Sequence, residues 1–311
     1  MLSLIMRRLG LSIPVLLGVL VFGFLLLQMV PGDPALVLAG PTAPPDVVEA
    51  IRKSMGLDQP LLVQFWIYFE RVVSGDLGRS MISNKPVLEE LGSAIGPTIE
   101  LMVACLIWSI PLGIGMGTLA ARHRGSLTDR VVMSFSVAGV SLPIFFICLL
   151  LIQFFGITLR LFPFVGRGGP LWTLEGLQHI FLPALSLGLV FIGPVARMTR
   201  SSVLEVLSQD YVRTARAKGL TEGMVVMRHA LRNALIPVVT LVGLQAGYLL
   251  GGAVVTETIF SWPGIGRLAV GGILSSDFPI AQGCILAMAL TFIAINLVVD
   301  LLYSVLDPRV K

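Results

Sequence analysis

With 55% hydrophobic and only 13% charged residues in 311, and a mean hydropathy of +0.91, the chain is excluded from the soluble globular class, where charged residues approach about 25%. The net charge of +4 implies no nucleic-acid partner, because in a bilayer protein the sidedness of basic residues matters more than their sum. Cys105, Cys148 and Cys284 lie far apart inside apolar runs, a spacing that offers neither a metal site nor a redox pair and reads as small buried apolar residues.

Arg7 and Arg8 precede an uncharged run from Leu9 to Val30, long enough to cross a hydrocarbon core about 30 Å thick at about 1.5 Å per residue. The run exceeds the roughly 7–15-residue apolar core of a signal peptide, and no small-x-small cleavage site follows. The first helix is therefore retained, with its N-terminus inside. Residues 31–96 are polar enough to be aqueous and open with Pro31-Gly32-Asp33-Pro34, which cannot continue a helix. Within them, Asp46 to Met55 and Leu61 to Val73 read as short amphipathic helices, and Trp66, Tyr68 and Phe69 supply bulk for a packed unit or an interfacial rim. Such an insert is too small to stand alone and is expected to lean on helix ends or on a partner.

Further spans are expected at Pro97 to Ala121, Val131 to Phe155, His179 to Val195, Leu235 to Thr256 and Ala281 to Tyr303, giving six crossings. The chain then divides into a first span (1–30), an external insert (31–96) and a core (97–311). Connections alternate: 122–130, 196–234 and the tail 304–311 inside, 156–178 and 257–280 outside. With Glu100 and Glu257 at outer ends and Asp300 at an inner end, the inside holds 14 of the 22 basic residues and six of the 18 acids. The inner side is thus +8 and the outer side −4, as the positive-inside rule requires when both termini are cytoplasmic. Gly113 with Gly117, and Gly247 with Gly251, are four apart and suited to close helix packing. Pro14, Pro111, Pro143, Pro183 and Pro194 interrupt helical runs and mark candidate kinks.

Uphill transport needs an energy source, and the sequence lacks one. It has no G-x-x-x-x-G-K-[ST] phosphate loop and no Gly-Lys pair, so the chain does not cradle ATP. H-E-x-x-H and G-x-S-x-G are also absent, against an intramembrane hydrolase. Glu100, Glu257 and Asp300 sit near span ends, whereas ion-coupled carriers hold ionisable groups at mid-membrane. His123, His179 and His229 are scattered, which disfavours a shared metal site. Asn296 and Asp300 read as partners of a neighbouring helix, and Arg160 and Arg167 as solvated loop residues. The driver is expected on another polypeptide.

The longest polar helical segment is Ser201 to Pro237. Leu204, Leu207, Tyr211 and Ala215 recur at helical spacing as one apolar face, with Glu205, Arg213 and Arg216 elsewhere. That helix should end at Gly219, and Thr221 with Glu222 should open a second. The second carries Met224, Met227, Ala230, Leu231 and Ala234, interleaved with Arg228, His229, Arg232 and Asn233, and Pro237 falls in the first turn of the next apolar run. Small residues Ala215 and Ala217 suit entry into a protein groove, and Arg213, Arg216 and Lys218 suit acidic rims. A helix lying on anionic lipid is the competing reading.

The run Asp210-Tyr211-Val212-Arg213-Thr214-Ala215-Arg216-Ala217-Lys218-Gly219-Leu220, then His229-Ala230-Leu231-Arg232-Asn233-Ala234 and Pro237, closely resembles the signature of the peptide branch of bacterial ABC importer permeases. So do Pro31-Gly32-Asp33-Pro34, Gly56-Leu57-Asp58-Gln59-Pro60, Gly75-Asp76-Leu77-Gly78, Ser261-Trp262-Pro263-Gly264-Ile265-Gly266-Arg267 and Asp307-Pro308-Arg309. In that family the signature, E-A-A-x-x-x-G in general form, is a coupling helix that docks into a cleft on a separate ATPase subunit. Here Arg213-Thr214-Ala215 replace Glu-Ala-Ala, Gly219 is the glycine, and His229 and Arg232 stand where the general form has Ile and Pro. No Glu-mediated contact carries over.

The resemblance implies an all-α membrane protein with six transmembrane helices of the type I ABC importer permease fold and a small extracytoplasmic insert between helices 1 and 2. It implies a permease for di- or oligopeptides, glutathione included, in a bacterial inner membrane; a nickel-importing permease and an ion-coupled peptide carrier are the alternatives. The short connection between the third and fourth spans resembles glutathione-type permeases. Expected partners are a second homologous permease, two ATPase subunits, an extracytoplasmic solute-binding protein and membrane lipid. No cofactor is expected on this chain; ATP and Mg would sit on the ATPases, which makes this chain no enzyme. The implied docking set is Asp210, Tyr211, Arg213, Thr214, Ala215, Arg216, Ala217, Lys218, Gly219, His229, Arg232 and Asn233, with Trp262, Pro263, Gly264 and Arg267 facing the binding protein.

Overall fold

A computed structural model describes residues 2–29, 33–40, 42–54 and 56–306. Pro31, Gly32, Met55 and the terminal Asp307-Pro308-Arg309 lie outside them, as do the tail cations Arg309 and Lys311. Among the described residues every regular element is a helix, apart from one isolated bridge between Arg79 and Pro86. In chain order these are α1 (Leu2–Met29), α2 (Pro34–Ala39), α3 (Pro45–Ser54), α4 (Leu61–Val73), α5 (Val87–Arg122), α6 (Leu127–Ser141), α7 (Ile144–Leu151), α8 (Leu174–Leu207), α9 (Asp210–Ala217), α10 (Glu222–Met224), α11 (Leu231–Ile259), α12 (Ile265–Leu274) and α13 (Phe278–Leu306). π-Helical turns at Ile152–Thr158 and Val225–Ala230 prolong α7 and join α10 to α11.

Five helical segments are long and apolar enough to cross a bilayer, and α6 with α7 make a sixth if counted as one span bent by 105°. The expected span from Val131 to Phe155 is thus a broken one, with the break at Pro143, one of the candidate kinks. Pro143 has no N–H and pushes the preceding residue out of the helical region, and Leu142 is accordingly extended, at φ −86° and ψ 131°. Pro14, Pro183, Pro194 and Pro237 instead stay inside continuous helices. Helices also overrun the expected spans. α5 begins ten residues before Pro97, and α8 continues past Val195 to Leu207, because hydropathy marks where lipid ends and backbone hydrogen bonding continues through polar turns. The connection 257–280, expected as a loop, contains α12.

The chain forms two compact units, one of Ile99–Trp262 and the residues from Ala294 on, the other of Leu2–Thr98 and Pro263–Ile293. In the first, α8 is the central helix. Its Ile180, Leu187, Phe191 and Val195 pack with Leu101 and Cys105 of α5, Val238, Leu250 and Ala253 of α11, and Trp262. Small residues set the spacing. A Cβ on Gly113 would stand 2.8 Å from Val195 Cγ1, one on Gly117 2.6 Å from Thr199 Cβ, and one on Gly139 of α6 2.8 Å from the Leu189 carbonyl oxygen. The expected packing role holds for Gly113 and Gly117. It fails for Gly251, which has open space before it, and the close approaches on α11 fall at Gly243, against Val299, and Gly252, against Leu187 and Ile144.

Two expectations about loops are corrected in this unit. Trp262 is 0% exposed and belongs to the core around α8, so its side chain is not available to a docking protein; its large apolar surface is worth more inside. Arg167 is not simply solvated: its Nη2 meets Glu100 Oε1 at 2.5 Å, while Gly166 N donates to Phe260 O (2.8 Å) and Gly166 O lies 3.1 Å from His179 Nδ1. These contacts hold the loop before α8 down. Glu257, fully buried, lies in the last turn of α11.

In the second unit Val87, Leu91 and Ala94 of α5, Ile265 and Ala269 of α12, and Ile280, Cys284 and Ala287 of α13 form one core. Buried Asp277 accepts from Ser80 Oγ (2.5 Å) and lies before α13. The insert leans on α1 through Phe24, which meets Phe65 edge-on at 5.5 Å and stacks on Tyr68 at 6.0 Å. Trp66 remains exposed and stacks on Phe69. Helix α4 matches the expected Leu61–Val73, and α2, absent from the sequence reading, is capped by Asp33 Oδ1 (3.0 Å to Ala35 N). Asp33 also pairs with Arg52.

The two glycines make contrasting predictions. Gly117→Ala forces a methyl group into the α8 backbone and should lower stability by about 1–3 kcal/mol, seen as an earlier thermal transition of the detergent-solubilised protein. Gly251→Ala should leave that transition unchanged; equal losses would contradict this packing.

Candidate functional site

The Ser201–Pro237 segment does not form two isolated short helices. Its first part, through Leu207, is the end of α8; Ser208 and Gln209 break the helix, and α9 starts afresh at Asp210. Its second part runs from Glu222 through the π turn into α11 without a break, so Pro237 lies inside a long helix. The break at Ser208 resets the helical phase. Leu204 and Leu207 are therefore not one continuous helical face with Tyr211 and Ala215: Leu207 still meets Ala215 in a buried cluster, Leu204 packs with Val203 and Ala234, and Tyr211 is exposed.

Within α9, Val212 (0% exposed) and Ala215 (6%) turn inward and pack with Val225 and the partly buried Val206, Leu207 and Leu220. Ala215 is corrected from a residue entering a partner's groove to one that seats α9 on its own chain. Tyr211 is 44% exposed, and its hydroxyl accepts from Asn233 Nδ2 at 2.7 Å and donates to the His229 carbonyl at 3.4 Å. One phenol thereby ties α9 to the helix that follows it. Arg213, Thr214, Arg216, Ala217, Lys218 and Gly219 are exposed.

The turn after α9 forms where expected. Gly219 sits at φ 81°, the left-handed region that only glycine enters without cost, and its N–H returns to Arg216 O at 2.9 Å. Across that turn Arg216 grips Glu222 at two points, Nε–Oε2 3.0 Å and Nη2–Oε1 2.6 Å. The bond to Glu222 raises the Arg216 pKa above its ordinary value, so Arg216 stays a cation committed within the chain. An exposed pair contributes under about 1 kcal/mol; its effect is to fix the angle between α9 and α10. Thr221 precedes α10 as expected but gives it no side-chain cap.

Arg213 lies only 3.6 Å from Asp210, with both side chains mostly exposed, a pairing too loose to neutralise it. Lys218, Arg228 and Arg232 make no ion pair among the described residues. Arg228, His229 and Arg232 line a concavity of about 720 Å³ with Tyr211, Asn233 and Ile236. Of the expected residues, Tyr211, His229, Arg232 and Asn233 thus meet around one hollow, while Arg213, Thr214, Ala217 and Lys218 are exposed on or just after α9. Of the other expected set, Pro263 and Arg267 are exposed and Gly264 is buried, and all three line a separate groove of about 480 Å³ in the second unit.

Sequence reasoning missed what holds α8 upstream of α9. Asp129, in the first turn of α6, accepts from Arg200 Nε (2.6 Å) and Nη2 (2.7 Å) of α8 and from Gly125 N (2.9 Å). The residues are 71 apart in the chain, beyond any local pattern.

Residues 88–311 match the family of binding-protein-dependent transport system inner membrane components, and residues 1–99 match the N-terminal membrane component of such systems. This chain belongs to that permease family. Over all 311 residues the permease is 47% identical to the glutathione transport system permease protein GsiC of Salmonella typhi and 46% identical to that of Escherichia coli (strain K12), covering 100% of this chain and 99% of each relative. A chain of the MetNI methionine ABC transporter, solved in inward-facing conformations, matches with a TM-score of 0.53 over 71% of this chain and 94% of that one, at 16% identity. That likeness is one of fold. The permease is a multi-pass membrane subunit of an ABC importer with the type I fold, and its family is not the ATPase.

Asp129→Ala should destabilise the permease by about 2–3 kcal/mol, the low end for a buried pair because the Arg200 side chain keeps 26% of its surface exposed. Arg200→Lys, which keeps the charge and loses the two-point grip, should fall between; thermal unfolding of the three proteins checks the order. Ala215→Asp should expose the 208–222 segment to limited proteolysis, whereas Ala217→Asp should not.

Proposed function

We propose that this permease carries glutathione and related short peptides inward across a bacterial inner membrane, paired with a second permease of the same kind. The observation that carries the reading is the 46–47% identity to GsiC over the whole length of both chains. It favours a peptide solute over a nickel ion, and an ATP-driven importer over an ion-driven carrier.

In this reading α9 is the coupling helix, and its outward face, Arg213, Thr214, Ala217 and Lys218, enters a cleft on an ATPase subunit. The short side chains allow close approach while Lys218 and the loosely paired Arg213 meet acidic rims. Val212 and Ala215, packed beneath, make α9 a rigid peg, and Arg200 with Asp129 carries its displacement into α6. Two ATPases, binding ATP and Mg, would move two such pegs together and switch the pathway between inward and outward access, a rigid-body change between discrete states. An extracytoplasmic binding protein would deliver solute to the outer face, where the groove lined by Pro263, Gly264 and Arg267 is a candidate contact. Both termini and α9 would lie in the cytoplasm, in line with the basic excess on that side.

ATP-dependent uptake of labelled glutathione into vesicles holding the reconstituted complex tests the proposal. Ala217→Trp and Gly219→Pro should each lower uptake and ATPase co-purification by roughly tenfold or more, the first by blocking close docking and the second because proline cannot adopt a positive φ. Undiminished uptake in vesicles lacking the ATPases would overturn it.

A further inference from the structure

The docking chemistry leaves one polar cavity unused. It lies wholly within the second unit, has a volume of about 530 Å³, and is lined by α1, α4 and the start of α13. Phe24, Ile67 and Phe278 give it an apolar lining, while polar groups converge from separate helices: Gln28 of α1, Tyr68 and Arg71 of α4, and Gln282 of α13. Its size falls within the roughly 300–1,000 Å³ of small-ligand sites, and so does its pattern of apolar walls with a few convergent polar groups.

The Gly75-Asp76-Leu77-Gly78 motif explains the charge arrangement. Gly75, at φ 81°, closes α4: its N–H reaches Val72 O at 3.0 Å and that of Asp76 reaches Arg71 O at 2.9 Å, a Schellman turn. The turn places a guanidinium and a carboxylate on the same cavity, yet they form no ion pair with each other. Asp76 gives one oxygen to Gly78 N (2.9 Å) and has a second to offer. Arg71 makes no side-chain hydrogen bond or ion pair among the described residues. Arg52, by contrast, is already neutralised by Asp33. The Tyr68 hydroxyl and the Gln282 amide also lack partners among the described residues, and burial pushes the Tyr68 phenol up to about 12, so it remains a neutral donor.

We propose that this cavity binds a short zwitterionic peptide, its carboxylate on Arg71, its ammonium on Asp76, and its peptide bonds against Gln28, Gln282 and the Tyr68 hydroxyl. A simple anion would meet the Asp76 carboxylate and a simple cation the Arg71 guanidinium; only a ligand bearing both charges satisfies both walls. The proposal rests on the importer reading above.

Equilibrium binding of labelled trialanine to the full transporter complex in nanodiscs, without binding protein or nucleotide, is the test. Saturable binding is expected, weakened about tenfold or more by Arg71→Ala or Asp76→Asn, as loss of a charged hydrogen bond implies, and less by Arg71→Lys. Asparagine keeps an oxygen for Gly78 N, so the turn survives. N-acetyl-trialanine should bind wild type weakly, and Asp76→Asn should weaken it no further. Binding indifferent to both substitutions would overturn the site, as would a retained phospholipid, seen by native mass spectrometry, that trialanine does not displace. Normal ATP-driven uptake of labelled glutathione without trialanine binding would remove this site alone; trialanine binding without any such uptake would remove the importer reading.

Discussion

Backbone contact around α8 is the constraint on which the first unit depends. Between helices in lipid there is little hydrophobic drive, since acyl chains are as apolar as leucine, so packing must come from dispersion at short range. Gly113 and Gly117 of α5, Gly139 of α6 and Gly188 and Gly193 of α8 remove the side chains that would hold the helices apart. Trp108 shows how close the fit is: its ring covers Gly188, and its Nε1 donates to the Ala184 carbonyl at 3.2 Å.

That packing sets the position of α8 along its axis, and the axial position decides what its far end can reach. Arg200 arrives opposite Asp129, where the carboxylate is already oriented by Gly125 N. One turn beyond, Val203 is buried with Ala121 and Ala234. The helix then stops at Leu207, and α9 begins from a fixed origin. Among the described residues α9 is thus restrained by the end of α8, through Val206 and Leu207, and by the segment that follows, through Leu220, Glu222, Val225 and Asn233. A short helix held on both sides can transmit a push, which a tethered one cannot.

The second unit solves a different problem. Its insert is polar and too small for a core of its own, so it borrows apolar surface from α1 through Phe24 and orders its remaining charges by turns and caps. Asp33 caps α2 and pairs with Arg52; Asp277 lies before α13 and accepts from Ser80. Arg71 and Asp76 stand outside this scheme, brought to one cavity and left without mutual pairing.

Much of this protein was legible in the sequence because the signals are local. Apolar length gives the membrane crossings, Gly219 gives the turn after α9, and the Asp210–Gly219 and His229–Asn233 motifs give the permease family. The sequence does not reveal which prolines break helices: Pro143 bends the chain by 105° while Pro183 and Pro194 stay inside α8, because neighbours decide whether a continuous helix is held. Nor does it show that Trp262 is core, that Ala215 faces inward, or that Arg167 meets Glu100. Periodicity assigns residues to a common face, but which face turns inward depends on what packs there, and those partners lie tens of residues away. Asp129 and Arg200 make the point most sharply. Each looks like an ordinary charge near a span end, and only the close packing of α6 on α8 turns the two into one ion pair.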